Sequence, residues 1–194
     1  FIFLDKDNEV LCQASAGLES IGYGMENDAL YVSGKLHACA PFLAFEWKHE
    51  GESHGVQTHL IGSYNIKNAL AAIAIGCRFG VPAEDICEAL DNYIPSNNRS
   101  QLTETADNHL IVDAYNANPT SMAAALENFS NVSADSKVAL LGDMLELGED
   151  SLAEHETVIR SVASRNLSAS FFVGKEFIAA SEALSQATDS VGSC

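Results

Sequence analysis

Two stretches of this sequence place acids and amides where apolar runs stop. In "HLIVDAYNANPTSM" (109–122) the apolar run gives way to Asp113, Tyr115, Asn116 and Asn118 ahead of Pro119. In "KVALLGDMLELGEDS" (137–151) it ends in Gly142, Asp143 and Glu146. A carboxylate accepts hydrogen bonds from hydroxyl and ammonium groups, while an amide both donates and accepts, so such groups suit a polar ligand. Helix capping explains part of the pattern: Asn118 is the natural N-cap of a helix opening at Pro119. Asp113, Tyr115 and Asn116 are not needed for that, and their place at a strand's carboxyl end points to ligand contact. Ser151 and Glu154 have capping-box spacing. His155, one turn further on, faces either the same cleft or solvent.

The elements that must position these groups fall into two parts. Residues 1–60 are short apolar runs broken by Gly, Asn and Asp, a strand-and-turn composition. From Asn65, "NIKNALAAIAIGCRFG" sets Ile66, Leu70, Ile73 and Cys77 at helical spacing, with Gly80 where a left-handed cap belongs. "VPAEDICEALDNY" predicts a second helix, with Pro82 at its first position and Glu84 and Asp85 in the first turn, where the dipole favours acid. The polar, aperiodic "IPSNNRSQ" (94–101) marks a domain boundary near residue 98. Beyond it strands starting at His109, Lys137 and Ala169 alternate with helices over 119–129, 151–166 and 175–187, which predicts an α/β domain with a parallel sheet. Ligands of such sheets bind at the carboxyl ends of the strands, where the acids and amides lie. The opening "FIFLDKDNEVLC" starts in the middle of a strand pattern, so a piece of a longer protein is expected.

Composition narrows the function. The 194 residues are 47% apolar and carry a net charge of −17, with neither half basic, which argues against a nucleic-acid or anionic-membrane surface. No run is long enough to span a bilayer and no export signal is visible. Five scattered cysteines without a C-x-x-C pair suggest reduced thiols in a cytoplasm, with Cys77 and Cys87 as small core residues. Triphosphate, dinucleotide and nucleophile-elbow motifs are missing from these residues. "HEGESH" (49–54) has its histidines five apart around Gly51, and reads as a polar turn rather than a metal site.

"GSYNIKNALAAIAIG" (62–76), "NNRSQ" (97–101), "VDAYNANPTSMAAAL" (112–126) and "LGDMLELGEDSLAEH" (141–155) together resemble the Mur ligases, ATP-dependent amide-forming enzymes of peptidoglycan precursor synthesis. The third and fourth are most similar to the type that adds D-alanyl-D-alanine to UDP-N-acetylmuramoyl-tripeptide. The resemblance implies that residues 1–97 are the second half of a central ATP-binding domain. Residues 98–194 would then be an incomplete Rossmann-like C-terminal domain. It implies a bacterial cytoplasmic, monomeric parent using ATP and magnesium. The phosphate-binding loop and most magnesium ligands would lie upstream of residue 1, leaving this chain inactive alone.

By the same resemblance Arg99, in the connector, reaches the ATP phosphates as the catalytic arginine. Asn65 and Asn68 read the adenine, and Asp113 binds the ribose hydroxyls. A plain N-cap is the alternative for Asn65. Tyr115, Asn116 and Asn118 serve the second substrate or domain closure; Asp143, Glu146 and His155 are candidates for the dipeptide's ammonium group. Two rival readings remain: another Mur ligase or a folylpolyglutamate synthetase, and a non-catalytic binding module.

Overall fold

The computed structural model describes residues 1–39, 42–96 and 101–191, with side chains of the last helix described through residue 186. Two compact units result, residues 1–112 and 113–194.

The first unit is built on a five-stranded mixed sheet: β1 (Ile2–Asp5), β2 (Ser20–Met25), β3 (Val32–Ala38), β4 (Ala44–His49) and β5 (Glu52–Gln57), in that spatial order. The β1–β2 and β2–β3 pairs are parallel, and β3–β4 and β4–β5 antiparallel. A short helix, α1 (Glu9–Ala14), provides the first crossover and is capped by the Asn8 side chain. The β4–β5 hairpin turns through Glu50 and Gly51, both at positive φ (51° and 86°), as a two-residue turn of primed type requires. The "HEGESH" segment is therefore a hairpin turn, as its polarity predicts. His49 Nδ1 lies 2.8 Å from the Tyr31 carbonyl oxygen and His54 stacks on Trp47 at 4.5 Å.

Helix α2 (Asn65–Arg78) lays Ile66, Ala69, Leu70, Ile73 and Ala74 on the sheet, against Val32, Phe45, Trp47 and Val56. Its approach is close because β3 offers Gly34: a Cβ there would meet Leu70 Cδ2 at 2.7 Å. Gly80 follows the helix at φ 76°, as the cap pattern predicts. Pro82 lies one residue outside α3 (Ala83–Asn92), as its N-cap with ψ 146°, and Ile86 completes the core. Cys77 and Cys87 pack against that core, in line with their expected role. An antiparallel pair, β6 (Gln101–Glu104) and β7 (His109–Val112), closes this unit.

The second unit runs α4 (Pro119–Asn131), β8 (Val138–Gly142), a 3-10 turn (Gly148–Asp150), α5 (Ser151–Ala163), β9 (Ala169–Val173) and α6 (Lys175–Val191). β8 and β9 pair in parallel, with Leu140 opposite Phe171. The expected alternation of strands and helices is present, but β7 takes β6 as its partner and runs antiparallel to it. β6 is not among the strands that the sequence pattern predicts. Met122, Leu126, Met144, Val158, Val162 and Phe177 form the core. The opposite face of the strand pair leaves Val138, Leu140, Phe171 and Val173 43–73% exposed. Among the described residues no helix is long and apolar enough to cross a membrane.

Candidate functional site

In the first unit the nominated amides stand at the start of α2. Asn65 is the first residue of the helix, behind Tyr64, so the plain N-cap alternative does not hold. Its Nδ2 donates to the Ile61 carbonyl oxygen (2.8 Å), and its Oδ1 accepts from Asn68 Nδ2 (3.0 Å). Asn65 is half-buried and Asn68 exposed. One amide is thereby tied to the backbone and orients the other. Asn68 retains a second N–H and its carbonyl oxygen, a donor and acceptor side by side. Gly62, at φ 92°, lets the preceding loop pass against the Tyr64 ring, where a Cβ would collide.

Beside this pair lies a charged cluster that the sequence reading missed. Lys67 Nζ is 3.1 Å from Asp5 Oδ2 and 3.7 Å from Asp7 Oδ2. Asp5 Oδ1 accepts from the Asp7 N–H, and Asp7 Oδ2 from the Met25 N–H, both at 3.0 Å. Burial, then the Asp5 charge, pushes the Tyr23 phenol upward, with Lys67 opposing. The signal was available: "FIFLDKD" puts acids at a strand's carboxyl end, as "HLIVDAY" does. Elsewhere on this sheet Glu26, Asp28, Lys35, Glu46 and Lys48 line a cleft of about 380 Å³ that contains none of the nominated residues. Lys48 hydrogen-bonds Asp28 and holds its carboxyl below the usual range.

In the second unit Asp113, Tyr115 and Asn116 are exposed. Asn116 Oδ1 accepts from the Ala117 N–H (3.0 Å). Asn118 is the predicted cap: its Oδ1 accepts from the Ser121 N–H (2.9 Å), and its own N–H donates to Ser121 Oγ (3.1 Å). That reciprocal pair occupies its acceptor, so Asn118 fixes the helix entry and leaves the loop surface to its neighbours. Ala117, Met144 and Leu147 pack on one core cluster, which anchors the loops after β7 and β8 on a common base.

The residues after β8 divide by role. Asp143 turns inward, where Oδ2 accepts from the Glu176 N–H (3.1 Å) and Oδ1 from the Phe177 N–H (3.0 Å). Its carboxylate therefore caps α6, with an anion on the positive end of that helix. His155 is fully buried rather than facing solvent, with Nε2 3.0 Å from the Met144 N–H and Nδ1 2.7 Å from the Ser151 carbonyl oxygen. The Ser151–Glu154 capping box does not form: Asp150 precedes the helix, and the Ser151 hydroxyl donates to Glu176 Oε2 (2.9 Å). Glu146 is exposed at φ 65°, a left-handed conformation uncommon for a residue with a side chain. Arg99 lies outside the described residues.

Models of two families match in order: the Mur ligase middle domain over residues 1–76, and the Mur ligase glutamate ligase domain over 98–193. A UDP-N-acetylmuramoyl-tripeptide–D-alanyl-D-alanine ligase of Treponema pallidum is 41% identical over 122 residues, covering 63% of this chain and 26% of that protein. MurF from Acinetobacter baumannii superposes with a TM-score of 0.81 at 26% identity, over 93% of this chain and 40% of that one. MurF ligase from Thermotoga maritima, solved in complex with ADP, shares the fold at a TM-score of 0.77 and 18% identity, over 91% and 41%. The chain thus spans well under half the length of the relatives it matches.

Proposed function

The chain belongs to the Mur ligase family, and we propose on that premise that it works within an ATP-dependent ligase joining D-alanyl-D-alanine to UDP-N-acetylmuramoyl-tripeptide in peptidoglycan precursor synthesis. The observation that carries this reading is the Asn65–Asn68 pair at the head of α2, within a chain whose matched relatives carry that activity in their names.

A free carboxylate resists amine attack, so ATP first transfers its γ-phosphoryl group to it, giving an acyl phosphate and ADP. The dipeptide's amine then attacks the acyl carbon. The C–O bond to phosphate breaks, inorganic phosphate leaves, and the nitrogen loses its proton. Charge develops first on phosphoryl oxygens and then on the tetrahedral oxygen, so positioned donors and fixed positive charge lower both barriers.

In this reading Asn68 pairs with an adenine edge through its remaining donor and acceptor, the pattern an amide uses on adenine. Asn65 holds Asn68 in place. Asp113 accepts from the ribose hydroxyls, and Arg99 meets the phosphates. Tyr115, Asn116 and Glu146 face the second substrate. Asn118 fixes the entry of α4, while Asp143 and His155 support the loop after β8 from within. We place the domain junction near residue 98, where the match to the Mur ligase glutamate ligase domain begins, although contacts group residues up to Val112 with the first unit. Among the described residues no three His, Cys, Asp or Glu side chains form a metal-holding group.

The test is phosphate release by the enzyme containing this chain. Release should require ATP, the nucleotide tripeptide and D-alanyl-D-alanine together. Arg99→Ala and Asp113→Ala should each lower kcat/KM by about 100-fold or more, the usual effect of removing a group that stabilises developing charge or holds the nucleotide. Normal release by either variant, or release driven by a single amino acid in place of the dipeptide, would refute the assignment.

A further inference from the structure

We propose that His155 and Asp143 are positioning residues that set the enzyme's affinity for the ammonium end of the incoming dipeptide without touching it. They act through the loop that carries Glu146. This inference rests on the dipeptide-ligase reading above.

The protonation state of His155 follows from its partners. A backbone N–H can only donate, so the Nε2 that receives Met144 N–H carries no proton. A carbonyl can only accept, so the Nδ1 beside the Ser151 oxygen carries one. The ring is neutral, in one tautomer, fully enclosed, and held edge-on by Phe177 at 4.6 Å. Asp143 Oδ1 stands 3.8 Å from Nε2 and is engaged on the α6 amides. Ser151 bridges the circuit to Glu176. Gly174, at φ 127°, crosses so close to the Asp143 carboxylate that a Cβ would collide with it.

Three elements are thereby tied at one point: the end of β8, the first turns of α5, and the N-terminus of α6. Between Met144 and the 3-10 turn, Leu147 packs on the core, while Leu145, 65% exposed, and Glu146, at positive φ, project outward. Positive φ is shared by the exposed Glu26 and Glu50; what sets Glu146 apart is the buried His155–Asp143 circuit that fixes its loop from beneath. A carboxylate held in that way suits a free ammonium group, the charge that the second substrate brings.

The enzyme containing this chain should be assayed as His155→Asn, His155→Gln, Glu146→Gln and the double variant His155→Asn/Glu146→Gln. Asparagine is too short to receive Met144 N–H, whereas the glutamine oxygen reaches the Nε2 position. His155→Asn should raise KM for the dipeptide about 10-fold, the scale of one weakened charge contact, while KM for ATP and for the nucleotide tripeptide stays within about twofold. His155→Gln should restore most of the loss. The double variant should be no worse than Glu146→Gln alone, because both changes break one path. Additive losses, equal changes in all three KM values, or no rescue by glutamine would overturn the proposal. Nitrogen-15 spectra of this chain test the positioning independently of turnover: His155 should show only the Nδ1–H tautomer, and an Nε2–H ring would overturn it. A wild-type enzyme indifferent to the dipeptide would instead sink the ligase reading.

Discussion

At the scale of single residues, Asp143 and His155 after β8 act inward. Asp143 receives two α6 amide protons at 3.0–3.1 Å. Asp143→Ala should therefore lower stability by about 2 kcal/mol, a lost cap on a helix end whose acceptor is charged. Thermal unfolding of the purified chain measures it, and an unchanged midpoint would contradict the capping role. Gly174→Ala should cost at least as much, since positive φ and the Asp143 carboxylate both exclude a Cβ. Burial pushes the Cys77 and Cys87 thiols upward, although the Trp47 indole partly opposes this at Cys87. At pH 8 less of either is thiolate than in a free cysteine, and access is restricted as well. Peptide mapping after iodoacetamide should find both alkylated much more slowly in the folded than in the unfolded chain.

At the scale of elements, local pattern and long-range contact contribute unequally. α2 and α4 were legible because apolar spacing and a capping residue agree with the packing each helix meets. Asn118→Ala should cost about 1 kcal/mol through the lost α4 cap. The β4–β5 turn needs two left-handed residues, and Glu50 supplies one at φ 51°. Glu50→Asn should stabilise the hairpin by a few tenths of a kcal/mol, because Asn-Gly prefers this turn. Denaturant titration checks the sign. The start of α5 was misread, since Ser151 and Glu154 have the local spacing of a box. Glu176 lies 25 residues away and takes the serine hydroxyl instead. Local spacing cannot reveal that competitor. β6 was missed for a related reason: four residues of mixed polarity become a strand only by pairing with β7.

At the scale of the whole molecule, charge and exposed apolar surface oppose each other. A net charge of −17 keeps copies apart, while Val138, Leu140, Phe171 and Val173 leave one face of the β8–β9 pair open. Screening shortens the repulsion from about 10 Å at 0.1 M salt to about 3 Å at 1 M. The chain should therefore sediment faster as salt rises, and Leu140→Lys should suppress the change. Equal behaviour of both proteins at all salt concentrations would show that this face does not drive association.

The sequence by itself determined the α/β class, most helices, the Asn118 cap and the family resemblance, because each depends on spacing within one or two turns or on short ordered motifs. Tertiary structure decided which polar residues face outward. His155 and Asp143 read like Glu146 along the chain, yet packing of α5 and α6 encloses the first two and leaves the third exposed. Spacing records which elements can form. Whether a side chain ends as a support or a contact depends on partners 11 to 34 residues away, and those are fixed only when the helices close over the strand ends.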